Sequence, residues 1–131
     1  MKKDREKRVD LLVETMNDPN VLKELGVKEL PTSGSIGVLW NLRKEPGVDK
    51  GILKGGFSRE FFTKDDLVRT IAEFTEVGRN GYGSITFNLQ TNGESMKLEV
   101  NDKNGVVSID EKDALAILAW AGGNKDVVTV K

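Results

Sequence analysis

The sequence predicts an α+β fold on three observations. Val9, Leu12, Val13 and Met16 form an amphipathic helical stripe near the N-terminus. The hydrophobic period then changes from 3.6 to 2 after Gly83, and a second capped helical run, ALAILAWA, lies near the C-terminus. Together they imply two N-terminal helices, a mainly antiparallel sheet including a three-stranded meander, and two further helices packed on it. At 131 residues the chain fits a single domain, 1–131, read as a helical pair over 1–26 and an α+β core over 36–131.

The first helix is expected over Arg5 to Met16 and ends at Asn17-Asp18-Pro19. Pro19 has no amide to donate, and Asp18 before it is pushed away from helical angles. Asp18 is instead a good N-cap, with Pro19 as the first residue of a short helix that runs to Leu25 and stops at Gly26. Lys28 to Gly37 is a connector, and Ile36 to Leu42 (IGVLWNL) reads as a strand. Glu45-Pro46-Gly47 is a turn signal, after which Gly51 to Phe57 fits either a glycine-broken strand or a loop.

Thr63 caps the next helix, with Asp65 and Asp66 at its positive end. Leu67, Ile71 and Phe74 lie on its core face beside Val68 and Thr75, and Val77-Gly78 is its stop. Ile85, Phe87 and Leu89 then alternate with polar residues, as do Met96, Leu98 and Val100. Asn92-Gly93 is the hairpin turn between them, and Asn104-Gly105 turns the chain into a third strand, Val106 to Ile109. Ser108-Ile109-Asp110-Glu111 has the spacing of a capping box for the last helix, whose core face is read as Leu115, Leu118 and Ala119, flanked by Ile117 and Trp120. Gly122-Gly123 ends it, and Val127 to Val130 reads as a final strand.

Composition narrows the chemistry. There is no cysteine, so disulfides, thiolate nucleophiles and cysteine-ligated zinc are excluded. There is no histidine, which excludes Ser–His and Cys–His catalysis and removes the commonest general acid/base. Neither a signal peptide nor a membrane-spanning run is expected, which suits a soluble cytoplasmic protein. The net charge of −1 gives no global pull toward nucleic acid or an anionic membrane, although basic residues gather in Met1 to Arg8 and again in Arg43 to Arg59.

Several motifs have both a chemical and a plain structural reading. Val100, Asp102, Asn104, Gly105, Val107 and Glu111 follow much of an EF-hand spacing, but valine holds the first ligand position and the preceding alternation is a strand. Turn and cap chemistry accounts for these residues without a metal. The glycine-rich segments around residues 34, 55, 81 and 122 match no phosphate-binding motif and are read as turns. The pairs Asp65/Asp66 and Asp110/Glu111 are read as helix caps.

The segment Trp40 to Phe62 interleaves basic and aromatic residues and is where a ligand is sought first. The candidate binding residues are Trp40, Arg43, Lys54 and Arg59, joined by Arg79 and Tyr82. No catalytic residues, metal ligands or cofactor are assigned. The expectation is a non-enzymatic binding or regulatory protein acting through protein–protein contact, with another protein or with itself, of which an accessory inhibitor or immunity-type protein is one form. The alternatives are a protein that binds a small anionic, nucleotide-like ligand and, ranked after it, one that binds single-stranded nucleic acid.

Overall fold

The computed structural model describes residues 2–43, 53–77, 82–101 and 110–126. Over these residues the chain is an α+β fold with the order α1 (Lys2–Asn17), α2 (Pro19–Leu25), β1 (Gly34–Arg43), β2 (Leu53–Phe61), α3 (Lys64–Val77), β3 (Tyr82–Thr91), β4 (Glu94–Asn101) and α4 (Glu111–Ala121). The four strands form one sheet, ordered β2-β1-β3-β4, in which every neighbouring pair is antiparallel. The meander strand expected at Val106 to Ile109 and the final strand at Val127 to Val130 lie outside the described residues.

Local chemistry sets most helix ends. Asp18 accepts a hydrogen bond from the Asn20 amide at 2.9 Å, Pro19 opens α2, and Gly26 closes it with φ +77°. The Thr63 hydroxyl accepts from the Asp66 amide at 3.0 Å and so caps α3. In the hairpin between β3 and β4, Asn92 and Gly93 both take positive φ, 54° and 75°, the backbone sign a two-residue primed turn requires.

The cap of α4 corrects the sequence reading. The N-cap is Asp110, whose carboxylate accepts from the Asp113 amide at 3.0 Å, while Asp113 accepts from the Asp110 amide at 3.1 Å. The reciprocal pair is therefore Asp110 with Asp113; Ser108, the cap expected from the sequence, lies outside the described residues.

The sheet is apolar on one side only. Ile36 and Val38 of β1 and Ile85, Phe87 and Leu89 of β3 are buried on one face, and α3 lies over it with Leu67, Val68, Ile71 and Phe74. The Phe74 and Phe87 rings meet at 6.3 Å between centroids. Burying a side chain of this size stabilises by roughly 1.5–3 kcal/mol, and the sheet–α3 contact repeats that several times.

Helix α1 packs on the outer side of α3 through Val9 and Met16, joined by two polar ties: the Arg8 Nε donates to the buried Glu76 carboxylate at 3.0 Å, and Arg69 reaches Asp10 at 3.3 Å. Helix α4 is buried on more of its circumference than a single stripe allows. Ala114, Ile117, Leu118, Ala119, Trp120 and Ala121 are all buried, whereas Leu115 is only half-buried. This displaces the expected core face from Leu115 toward Ile117, because α1, α2 and α3 all touch the helix. The turn after α4 locks onto the end of α2, with Asn124 donating to the Leu25 carbonyl at 2.7 Å and the Lys28 amide to the Gly122 carbonyl at 3.0 Å.

Burial, reinforced by the neighbouring Asp110 carboxylate, raises the Asp113 carboxyl above its ordinary value of 3.8, against the lowering effect of the Asp110 amide. A carboxyl raised on folding contributes stability that is complete below 3.8 and is lost as pH climbs through its folded value. Wild-type stability relative to Asp113→Asn should therefore fall as pH rises from about 3 to about 7 in urea denaturation series. Parallel pH profiles for the two proteins would contradict this account of the cap.

Candidate functional site

The second face of the sheet is the candidate surface. Strand parity places Ser35, Gly37, Leu39 and Asn41 of β1 on it, with Lys54, Gly56, Ser58 and Glu60 of β2 and Ser84, Thr86, Asn88 and Gln90 of β3. From β4 come Ser95, Lys97 and Glu99. These are small or polar side chains, with one exception: Leu39, in a central strand, is 57% exposed. A leucine at that position would be covered if a helix lay on this side, and among the described residues none does.

The surface is gently concave rather than a deep cleft. A depression of about 400 Å³ lies beside Leu39, lined by Ser35, Gly37, Gly56, Ser58 and Asn88. A second, of about 610 Å³, lies at the end of the sheet between Glu60, Phe62, Gln90 and Glu94. Phe62, 71% exposed, stands at the rim of that second hollow.

The six residues singled out by sequence do not form one cluster. Arg43 and Tyr82 are direct cross-strand partners, and Lys54 lies across from Asn41 at the same end of the sheet. By register Lys54 belongs to the open face. Trp40 belongs to the other face, where its indole packs against the core over Gly55. Arg59 also points to the helical side: its Nη1 donates to the Thr70 hydroxyl at 3.3 Å and lies 3.8 Å from the Glu73 carboxylate. Arg69 extends the chain of charges from Glu73 to Asp10, so that Arg59 braces β2 to α3 and α1. Arg79 lies outside the described residues.

The acidic pairs take the places expected of caps. Asp65 and Asp66 stand in the first turn of α3, and Asp110 and Glu111 at the start of α4. Val100, the first position of the EF-hand-like spacing, is in strand β4, and residues 102–109 lie outside the described residues. Among the described residues no group of three or more acidic side chains converges as a metal site, and no helix is long and apolar enough to cross a membrane.

Sequence reading passed over Leu39 and Glu60, both prominent on the open surface. The signal for Glu60 was present: Lys54, Gly56, Ser58 and Glu60 alternate with Gly55, Phe57, Arg59 and Phe61 over the whole of β2. Leu39 gave no such signal, because the run Ile36 to Leu42 is apolar at almost every position and its parity cannot be read.

The Trp40–Gly55 contact is testable. A Cβ at residue 55 would lie 2.9 Å from three atoms of the indole, closer than packed side chains tolerate. Gly55→Ala should lower stability by about 1–3 kcal/mol and shift the tryptophan emission, as measured by fluorescence-detected denaturation. Unchanged emission and stability would show that the indole does not lie over this glycine. Comparison of the chain with protein-family models, curated proteins and solved structures finds no match.

Proposed function

We propose that this chain is a non-enzymatic binding or regulatory protein that acts through protein–protein contact, with the open face of the sheet as its contact surface. The observation that carries this reading is Leu39, an exposed leucine at the centre of a surface otherwise built from small polar side chains. Such a surface suits a partner that offers one apolar contact inside a ring of hydrogen-bonding groups, the anatomy of a specific interface. Rigidity helps, since the strands beneath Leu39 are fixed from behind by α3, and a pre-ordered surface loses less conformational entropy on binding.

The expected result is a stoichiometric protein partner when tagged protein recovered from its own cells is examined by native mass spectrometry. Leu39→Glu should abolish that partner while leaving the thermal midpoint within about 2 °C of wild type, because the residue is exposed. Recovery without a protein partner, but with a retained adduct of a few hundred daltons, would overturn the reading.

A second reading has one observation in its favour. The register pairs Arg43 with Tyr82 at the end of the sheet that also carries Lys54, and these residue types suit a small anionic ligand with a ring to stack. A nucleotide bound there would raise the melting temperature in a thermal-shift assay, since a ligand selective for the native state stabilises it by mass action. The absence of any shift at millimolar nucleotide would exclude this alternative. Binding to single-stranded nucleic acid ranks after it, because on the described open face Lys54 and Lys97 stand among Glu60 and Glu99, too few cations to track a backbone.

A further inference from the structure

We infer that the outer edge of β2 pairs antiparallel with β2 of a second copy of this chain, about a two-fold axis through Phe57. This deepens the protein-contact reading by naming one partner. It rests on that reading only in that the partner is a protein, and it uses the strand edge rather than Leu39.

The argument begins with the state of the edge. In the order β2-β1-β3-β4, β2 has β1 on one side, and among the described residues no strand pairs with it on the other. It is nine residues long, lacks proline and runs in unbroken register with β1 from Gly34↔Phe61 to Leu42↔Leu53, so no bulge bends it away. Edge strands ordinarily avoid self-pairing by being short, bulged, interrupted by proline or covered. Among the described residues none of these devices protects β2. Charged side chains are the remaining protection, and here they are arranged to match.

About Phe57 the strand is self-complementary over its full length. Lys54 faces the partner's Glu60, and by symmetry Glu60 faces the partner's Lys54. Both are exposed on the open face, and neither makes an ion pair with another described residue. On the helical side Gly55, under the Trp40 indole, faces the partner's Arg59, whose guanidinium is tied to Thr70 and Glu73 of its own chain. Gly56 faces the partner's Ser58.

A two-fold axis perpendicular to the sheet keeps the open faces of both copies on one side. It therefore allows only registers that shift by two residues. Moving one step either way sets Lys54 against the partner's Ser58 or the partner's Phe62 and loses both charge pairs. Opposite charges directly across a strand pair favour a register, and like charges oppose it. The result joins the sheets of the two copies into one continuous sheet, with the open faces of both on the same side.

The test is sedimentation velocity of the full chain over a concentration series, with charge-reversed variants. Wild type should show a reversible monomer–dimer equilibrium, the dimer having twice the 14.5 kDa chain mass. Lys54→Glu and Glu60→Lys should each weaken the dimer at least tenfold, since each sets like charges together twice. The double variant Lys54→Glu/Glu60→Lys should restore it. An equimolar mixture of the two single variants should form a one-to-one heterodimer, because a chain acidic at both positions then meets a chain basic at both. Circular dichroism of both single variants should match wild type, as both side chains are exposed.

A wild type that stays monomeric up to its solubility limit would overturn the inference. So would a dimer indifferent to either single reversal, or a double variant that remains monomeric. The two proposals fail separately: Leu39→Glu should leave self-pairing intact, and loss of self-pairing leaves the Leu39 surface untouched.

Discussion

The structure depends on a sheet that must be covered on one face. Ile36, Val38, Ile85, Phe87 and Leu89 put their side chains on the same side of β1 and β3, and α3 excludes water from them. Replacing Phe87 by alanine there would remove about 3–5 kcal/mol, a large share of the stability of a chain this size. Helix α3 is itself held by what lies behind it. The Arg8–Glu76 and Arg69–Asp10 ties and the apolar contacts of Val9 and Met16 bring α1 onto its outer side. The exposed Arg69–Asp10 pair contributes little to stability. Arg8–Glu76 differs, because the Glu76 carboxylate is buried, where removing a charged partner costs more than it does at the surface.

Covering one face leaves the other open among the described residues. With the helices gathered on the Phe87 side, the side chains of Leu39, Ser58, Asn88 and Gln90 form a surface whose backbone cannot shift without disturbing the core. A protein interface gains from such a platform because the conformational cost of ordering it has already been met in folding. The β2 edge lies at the margin of the same surface, so pairing there would extend it without altering its character.

How much was legible in the sequence follows from how local each determinant is. Asp18-Pro19 with Gly26, Thr63 with Asp66, and Asn92-Gly93 act within a few residues, and the structure places caps and turn where those residues imply. The alternation of Ile85, Phe87 and Leu89 likewise fixes which face of β3 is buried. Strand β2 was harder, because Gly55 and Gly56 lower its intrinsic preference and its stability comes from β1. On α4, Leu118 and Ala119 are buried as their spacing implies, and burial extends to the flanking Ile117 because α1, α2 and α3 all touch the helix. The candidate cluster divided for a related reason. Trp40 and Lys54 lie at the same end of the sheet, but Trp40 pairs with Gly55 and Lys54 with Asn41, so strand parity sends them to opposite faces. Arg59, a candidate ligand contact by sequence, is tied to Thr70 and Glu73 on a helix more than ten residues away.

The central claim is that one face of this sheet is buried and the other is open to solvent in the isolated chain. Hydroxyl-radical footprinting of dilute protein, read residue by residue by mass spectrometry, tests it most directly. Leu39 should be oxidised at close to the rate of an unfolded-chain leucine, while Phe87, Leu89 and Ile85 should react only after denaturation. Protection of Leu39 in the dilute monomer would mean that another part of the chain covers this face, and the contact surface would have to be sought elsewhere.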